Sequence, residues 1–202
     1  MKILIVKYLP SSEKSNTLKL LNHLKEQLGN HAYTELDLIQ NPPMFHSELS
    51  MDAYKTRNFG GESLNSAQQH AIQPMDDMTQ QFVEADLIVL VTPMHNFSLP
   101  GIVKTYFDAV MQSGRAFKYE GENQIGLMDK SKFLTIYTSM GSYKGGYGFM
   151  DNLRTITKIE LDFMGFKEYE FIHAATGNKT TYDFHIDKAK NKITSICELW
   201  LN

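Results

Sequence analysis

Short apolar runs and helical repeats alternate along this chain. Ile3, Leu4, Ile5 and Val6 stand together within residues 2–6, and such a β-branched run predicts a buried strand. Leu18, Leu21, Leu24 and Leu28 then recur at helical spacing, and residues 33–38 read as a second strand. Residues 40–60 carry Pro42, Pro43, Gly60 and Gly61 and predict a long loop with about one helical turn. Residues 62–84 are polar with helical spacing. Residues 87–91 are continuously apolar, as in a strand covered on both faces. Pro100 is expected to open a helix reaching about Gln112, with Ser98 or Leu99 near its cap, because the missing proline N–H costs nothing at a first helical position. Residues 133–138 predict a fourth strand, 153–163 a helix and 169–173 a short fifth strand. Ile186, Ala189, Ile193, Ile196 and Trp200 form one stripe of a closing helix.

Five strands separated by helices imply an α/β fold, a parallel sheet with helices on both faces. Right-handed crossovers leave few topologies. The natural candidate is the flavodoxin-like three-layer sandwich, with a five-stranded parallel sheet in the order 2-1-3-4-5. No internal repeat, low-complexity tract or linker divides the sequence, so residues 1–202 are read as one domain.

Composition narrows the function. Charged residues make up 21% and hydrophobic residues 42%, an ordinary globular balance. A net charge of −3 without a long basic run argues against nucleic acid or an anionic membrane as the main partner. The single cysteine, Cys197, can form no internal disulfide, and its apolar setting suits core filler better than a nucleophile. The opening apolar run is too short for a signal-peptide core, and no stretch approaches membrane-spanning length, so a cytoplasmic location is expected. The seven histidines are scattered without i, i+4 pairs, so no metal site is expected.

In an open parallel sheet, ligands bind outside the carboxyl ends of the strands. Three segments fall there. Residues 8–17 gather Ser11, Ser12, Ser15, Asn16 and Thr17 where the first helix begins. They suit either an anion at the helix N-terminus or simple capping by Ser15 or Asn16. The segment has neither the glycines and lysine of a P-loop nor a G-x-G-x-x-G pattern. Residues 93–100, Pro-Met-His-Asn-Phe-Ser-Leu-Pro, form a rigid loop that offers an aromatic, an amide and an imidazole. That set could wall a flat heteroaromatic ring, or Phe97 could simply tuck into the core. Residues 138–148 are rich in glycine. Their amides could meet the electron-rich edge of a reduced ring, or the loop could be plainly flexible.

Taken together, these segments resemble the FMN-dependent NADH:quinone oxidoreductase and azoreductase family. The most specific block is Pro93-Met-His-Asn-Phe97, then Leu99-Pro100, then Lys104-x-Tyr-Phe-Asp108. Gly114 to Tyr119, Gly126-Leu127, Thr138-Ser-x-Gly141 and Asp162-Phe-Met-Gly-Phe166 follow in place and order, so the resemblance covers nearly the whole chain. It implies a cofactor, FMN, whose phosphate is held by Ser11, Ser15, Asn16 and Thr17. Pro93, Met94, His95, Asn96 and Phe97 would contact its ring system, and Ser139, Met140, Gly141 and Ser142 would flank the pyrimidine edge. His95 and Asn96 would be catalytic, and Phe117 and Phe163 would border the substrate space. The resemblance further implies a homodimer that passes two electrons from NADH or NADPH to quinones or azo compounds by a ping-pong mechanism. Two positions depart from the family pattern. Tyr8 stands where a serine usually follows the first strand, with Ser11 or Ser12 able to compensate. His95 stands where tyrosine is usual, and an imidazole is smaller and can change charge near neutral pH. Lys144 is a weak hint of a contact to a nucleotide phosphate, and His173 is expected to be a structural histidine. Three other readings stay open: a flavodoxin-type electron carrier, a flavin reductase that releases reduced FMN, and a hydrolase using Ser139 or Ser142. The last lacks a G-x-S-x-G elbow.

Overall fold

Seven strands and six α-helices make up the computed structural model, which describes every residue except Ser12, Lys14, Lys144 and Asn202. The strands are β1 (Ile3–Lys7), β2 (Tyr33–Asp37), β3 (Leu87–Pro93), β4 (Phe117–Glu120), β5 (Asn123–Gly126), β6 (Lys132–Ser139) and β7 (Glu168–Ala175). The helices are α1 (Asn16–Leu28), α2 (Glu48–Asn58), α3 (Ser66–Val83), α4 (Gly101–Val110), α5 (Asn152–Met164) and α6 (Tyr182–Leu201). Five strands pair in parallel in the order β2-β1-β3-β6-β7, the topology expected from the sequence.

The two-residue pleat sorts the strand side chains into two cores. Ile3, Ile5, Val89, Val91, Leu134 and Ile136 face α1 and α6, where they meet Leu20, Leu24, Ile193 and Trp200. Leu4, Val6, Ile88, Leu90, Phe133 and Tyr137 face the other way, against Phe82, Phe107, Leu153 and Leu161 of α3, α4 and α5. Each fully buried leucine or phenylalanine contributes roughly 2 kcal/mol, so the continuous run in β3 fixes that strand at the centre. Cys197 is buried in the first of these cores, where burial and the charge of Glu198 push its thiol up to about 11. None of the described helices is long and apolar enough to cross a membrane.

The segment expected as a long loop at residues 40–60 instead contains α2, eleven residues long. Its apolar stripe is nearly absent, since only Ser50 and Ala53 are buried. A capping box between Ser47 and Ser50 starts it. Arg57 anchors its far end, donating to both oxygens of Asp76 (2.5 and 2.9 Å) and to Gln112 Oε1 (3.0 Å). The helix expected from Pro100 is also shorter, ending at Val110, and Pro100 is its N-cap residue without a side-chain cap. Ser98 supplies no side-chain cap either, and its backbone N–H and C=O pair with His95.

The β4–β5 hairpin has no counterpart in the sequence reading. It is held where Gly126 meets the turn after α5: a Cβ at position 126 would come within 2.3 Å of the Gly165 backbone nitrogen. Gly165 itself has φ +87, a left-handed helix C-cap.

Facing α4, the Glu160 carboxylate of α5 is buried with Lys104 Nζ at 3.5 Å and the Asp108 carboxylate also nearby, and its Oε2 has no hydrogen-bond partner among the described residues. Burial, helped by the Asp108 charge and opposed by Lys104, raises its carboxyl from 4.5 to about 7. The folded chain therefore keeps a proton that the unfolded chain releases, and stability attributable to this group falls as pH climbs from about 4.5 to about 7. In urea unfolding, Glu160→Gln should match the wild type below about pH 4.5 and become more stable by up to about 3 kcal/mol near pH 8. A constant difference across that range would show that Glu160 does not titrate this way.

Candidate functional site

The three segments singled out above leave the carboxyl ends of β1, β3 and β6 side by side. At the first, Ser15 is the N-cap of α1, and its hydroxyl accepts from the Leu18 N–H at 3.3 Å. That covers only the third amide of the helix, so the N–H groups of Asn16 and Thr17 have no intrahelical partner and point out of the helix end. An anion there would meet two open amides and the positive end of the helix dipole. Thr17 is buried and shares a 2.6 Å hydrogen bond with the Thr138 hydroxyl. The Asn16 carboxamide oxygen accepts from the Tyr182 hydroxyl at 2.7 Å, which leaves its NH₂ group as a donor. Ser11 sits in an exposed turn, and Ser12, the other serine expected to compensate for Tyr8, lies outside the described residues.

At the second, His95 and Ser98 exchange backbone hydrogen bonds of 3.1 and 2.9 Å. This makes a two-residue hairpin whose central residues, Asn96 and Phe97, both have positive φ, at 44° and 68°. Asparagine tolerates that region, but a phenylalanine there is strained by of order 1–3 kcal/mol. The strain holds Phe97 outward, 45% exposed, with its carbonyl bonded to the Asn152 N–H at 3.0 Å. Phe97 is therefore not tucked into the core. Met94 is buried beneath the turn and Pro93 is half-buried, while His95 and Asn96 are exposed. Tyr8 and His95, the two departures from the family pattern, pack edge to face with ring centroids 5.7 Å apart.

At the third, Ser139 is locked inside the protein. Its hydroxyl donates to the Gly141 carbonyl (2.7 Å), so its 2.6 Å contact with His173 must be donated by Nε2–H of the imidazole. The His173 ring is stacked on Tyr137 at 4.6 Å. Both facts oppose a hydrolytic role, because the histidine facing this serine is a donor rather than a base. Asp151 caps α5 and accepts from the Tyr137 hydroxyl at 2.5 Å. Burial and that carboxylate hold the Tyr137 phenol far above its usual range. Met140 and Ser142 are exposed, Gly141 is half-buried, and Tyr143 reaches Phe97 across the groove with ring centroids 6.1 Å apart. Lys144 lies outside the described residues.

The groove between these loops joins an anion site, an exposed aromatic hairpin and a polar loop, which fits a phosphorylated flat ring such as FMN. Phe117 and Phe163 do not belong to this groove within one chain. They touch each other, with ring centroids 4.8 Å apart, but Phe163 closes α5, which runs back to the amino end of the sheet before β7 begins. Eight-residue β6 separates the two ends by roughly 25 Å. Sequence reasoning missed Tyr182 and Asp151, which act on Asn16 and Tyr137 from distant parts of the chain and leave no local signal. Among the described residues, no group of three or more His, Cys, Asp or Glu side chains could hold a metal ion.

A family model for the flavodoxin-like fold matches residues 1–196. Over 114 residues the chain is 40% identical to an FMN-dependent NADH:quinone oxidoreductase of Bacillus cereus, covering 56% of this chain and 54% of that protein. The chain thus spans about half the length of the Bacillus relatives it matches. It is 31% identical over 152 residues to an FMN-dependent NADH:quinone oxidoreductase of Macrococcus caseolyticus, covering 72% of each. Among solved structures, an azoreductase from Bacillus anthracis superposes with a TM-score of 0.89 at 22% identity, covering 99% of this chain and 100% of that one. An FMN-dependent NADH-azoreductase of the same species, solved in complex with FMN, superposes at 0.87 with 23% identity, covering 100% of this chain and 99% of that one. At these identities the superpositions speak to fold.

The hairpin strain is open to measurement. Phe97→Gly should leave stability in urea unfolding within about 1 kcal/mol of the wild type, because the relief of positive-φ strain offsets the buried half of the ring that is lost. A larger loss would mean that the phenylalanine packing outweighs the strain.

Proposed function

The chain belongs to the flavodoxin-like fold family, among the FMN-dependent NADH:quinone oxidoreductases and azoreductases, and we propose that residues 1–202 form one FMN-binding domain. It transfers two electrons from NADH or NADPH to quinones or azo compounds, in the cytoplasm, by a ping-pong exchange. The observation that carries this reading is the convergence of three features on one groove: the open amides of α1, the strained hairpin at His95–Ser98 and the loop after β6. FMN bound there would supply the electron relay that the side chains cannot provide.

The chain's own residues bind, orient and protonate. Ser15, Asn16 and Thr17 hold the phosphate, with Ser11 nearby. The hairpin from Pro93 to Phe97 presents one wall to the flat ring, and Ser139, Met140, Gly141 and Ser142 present backbone groups to its polar edge. Asn96 and His95 face the open side, where nicotinamide and acceptor would alternate in the same space. His95 is the proton donor to the reduced acceptor, and Tyr8 braces its ring.

A second copy of the chain completes the site. Phe117 and Phe163 lie at the far end of the sheet from the groove of their own chain, so they can border the substrate space only if a partner brings them there. A homodimer therefore belongs to the proposal.

The purified chain, given excess FMN and passed through gel filtration, should stay yellow. Its visible bands should bleach with NADH or NADPH and recover with a quinone. Retained colour with negligible turnover would point to an electron carrier, loss of FMN on the column to a flavin reductase, and no uptake of FMN would end the proposal. If His95 supplies the proton, His95→Gln should flatten the pH profile of acceptor reduction and slow it by on the order of 100-fold. An unchanged profile would remove that role.

A further inference from the structure

Behind the groove, across the Tyr143 ring, lies a second cavity of about 420 Å³ at the free edge of β7. Its charged lining is lopsided. Arg154 enters from α5, and Lys188 and Lys192 enter from α6. The one carboxylate in the lining, Asp151, is already engaged by the Tyr137 hydroxyl and the Arg154 backbone N–H, and the Arg154 side chain lies 3.9 Å from it. With Arg154 beside Asp151 and Lys192 paired to Glu170, three cations face two carboxylates, and Lys188 carries the surplus positive charge.

Two of the cations are held in place. Arg154 lies over the Phe171 ring, 4.9 Å from its centroid. Lys192 donates to Glu170 Oε2 (2.7 Å) and to the Phe171 carbonyl (3.2 Å). Lys188 is exposed, with no ion pair among the described residues. Tyr143 is the shared wall: its ring is 6.1 Å from Phe97 on the groove side and 6.1 Å from His173 on the cavity side. A molecule in the cavity therefore touches the same loop that borders the groove.

We propose that this cavity is an anion site that takes the phosphates of the nicotinamide dinucleotide. The inference rests on the function proposed above and deepens it. Of the reactants in that function, a quinone carries no fixed charge and has no use for three cations. The dinucleotide carries at least two negative charges and must reach from the groove to somewhere beyond it. Arg154, Lys188 and Lys192 match those charges, the Ser142 hydroxyl can donate to a phosphate oxygen, and Tyr143 offers an aromatic face between the two compartments.

The test uses the full chain and oxidised dinucleotides, which bind without transferring electrons. Calorimetric titrations with NADP⁺, NAD⁺ and inorganic pyrophosphate would be run on the wild type, on Lys188→Gln and on Arg154→Gln/Lys188→Gln, with an FMN fluorescence titration of each in parallel. Both dinucleotides should bind the wild type. Lys188→Gln should weaken them about fivefold and the double variant further, with the loss shrinking as salt screens the charges. The FMN affinity and urea midpoint of Lys188→Gln should not move. Equal dinucleotide affinity in all three proteins would overturn the proposal, as would tight pyrophosphate binding with no dinucleotide binding, which would mark a site for free phosphate. Failure of FMN to bind while the Lys188 dependence persists would instead overturn the oxidoreductase reading and leave the anion site standing.

Discussion

At the carboxyl edge of the sheet, one threonine holds three chain segments together. The Thr138 carbonyl accepts from the Met94 N–H at 2.8 Å, so β3 and β6 stay laced beyond their last paired residues. Its hydroxyl meets Thr17 at 2.6 Å, which ties the first turn of α1 to the same point. These bonds are buried, where leaving either hydroxyl unpaired would cost about 1–3 kcal/mol. The anion site, the aromatic hairpin and the loop after β6 are therefore positioned relative to one rigid residue of a central strand. The Phe97 strain can persist because its hairpin grows from this anchored edge at Met94 and is closed by the His95–Ser98 backbone pair.

How far the fold was legible depended on how much apolar surface each element buries. The runs at Ile3–Lys7 and Leu87–Pro93 are covered on both faces and read directly as strands, and their order followed from the alternation of strands and helices. α2 escaped because polar contacts hold it: Ser47 and Ser50 at its start and Arg57 with Asp76 near its end. The β4–β5 hairpin escaped because only Phe117 of its eight strand residues is buried, and its anchor is a backbone contact between two glycines distant in sequence. Hydrophobic periodicity has no access to either kind of contact.

The groove was legible in outline because ligand sites in parallel sheets follow strand ends, and the serines, the Met-His-Asn-Phe block and the glycine loop all fall at such ends. Its finer chemistry was not. Nothing near Asn16 announces that Tyr182, from the start of α6, will take its carbonyl oxygen. Nothing near Ser139 announces that His173 will fix its hydroxyl. The departures at Tyr8 and His95 looked independent along the chain, yet their rings touch, so the larger side chain at one position fills space beside the smaller at the other. Phe117 and Phe163 show the opposite limit: a family pattern can point to residues that lie away from the groove of their own chain.

The lysine that bonds the Phe171 carbonyl has a further effect on how the molecule behaves in a crowd. β7 is the outermost strand on its side, and an open strand flank is a template for adding a foreign strand. Lys192 occupies one of its acceptors and sets a charge beside it. The opposite flank, β2, is guarded similarly by Glu35 between Lys7 and Lys25. Any approaching segment would have to strip hydrated charges from either flank before it could zip on, which disfavours growth of the sheet into fibrils or tangled aggregates at high concentration.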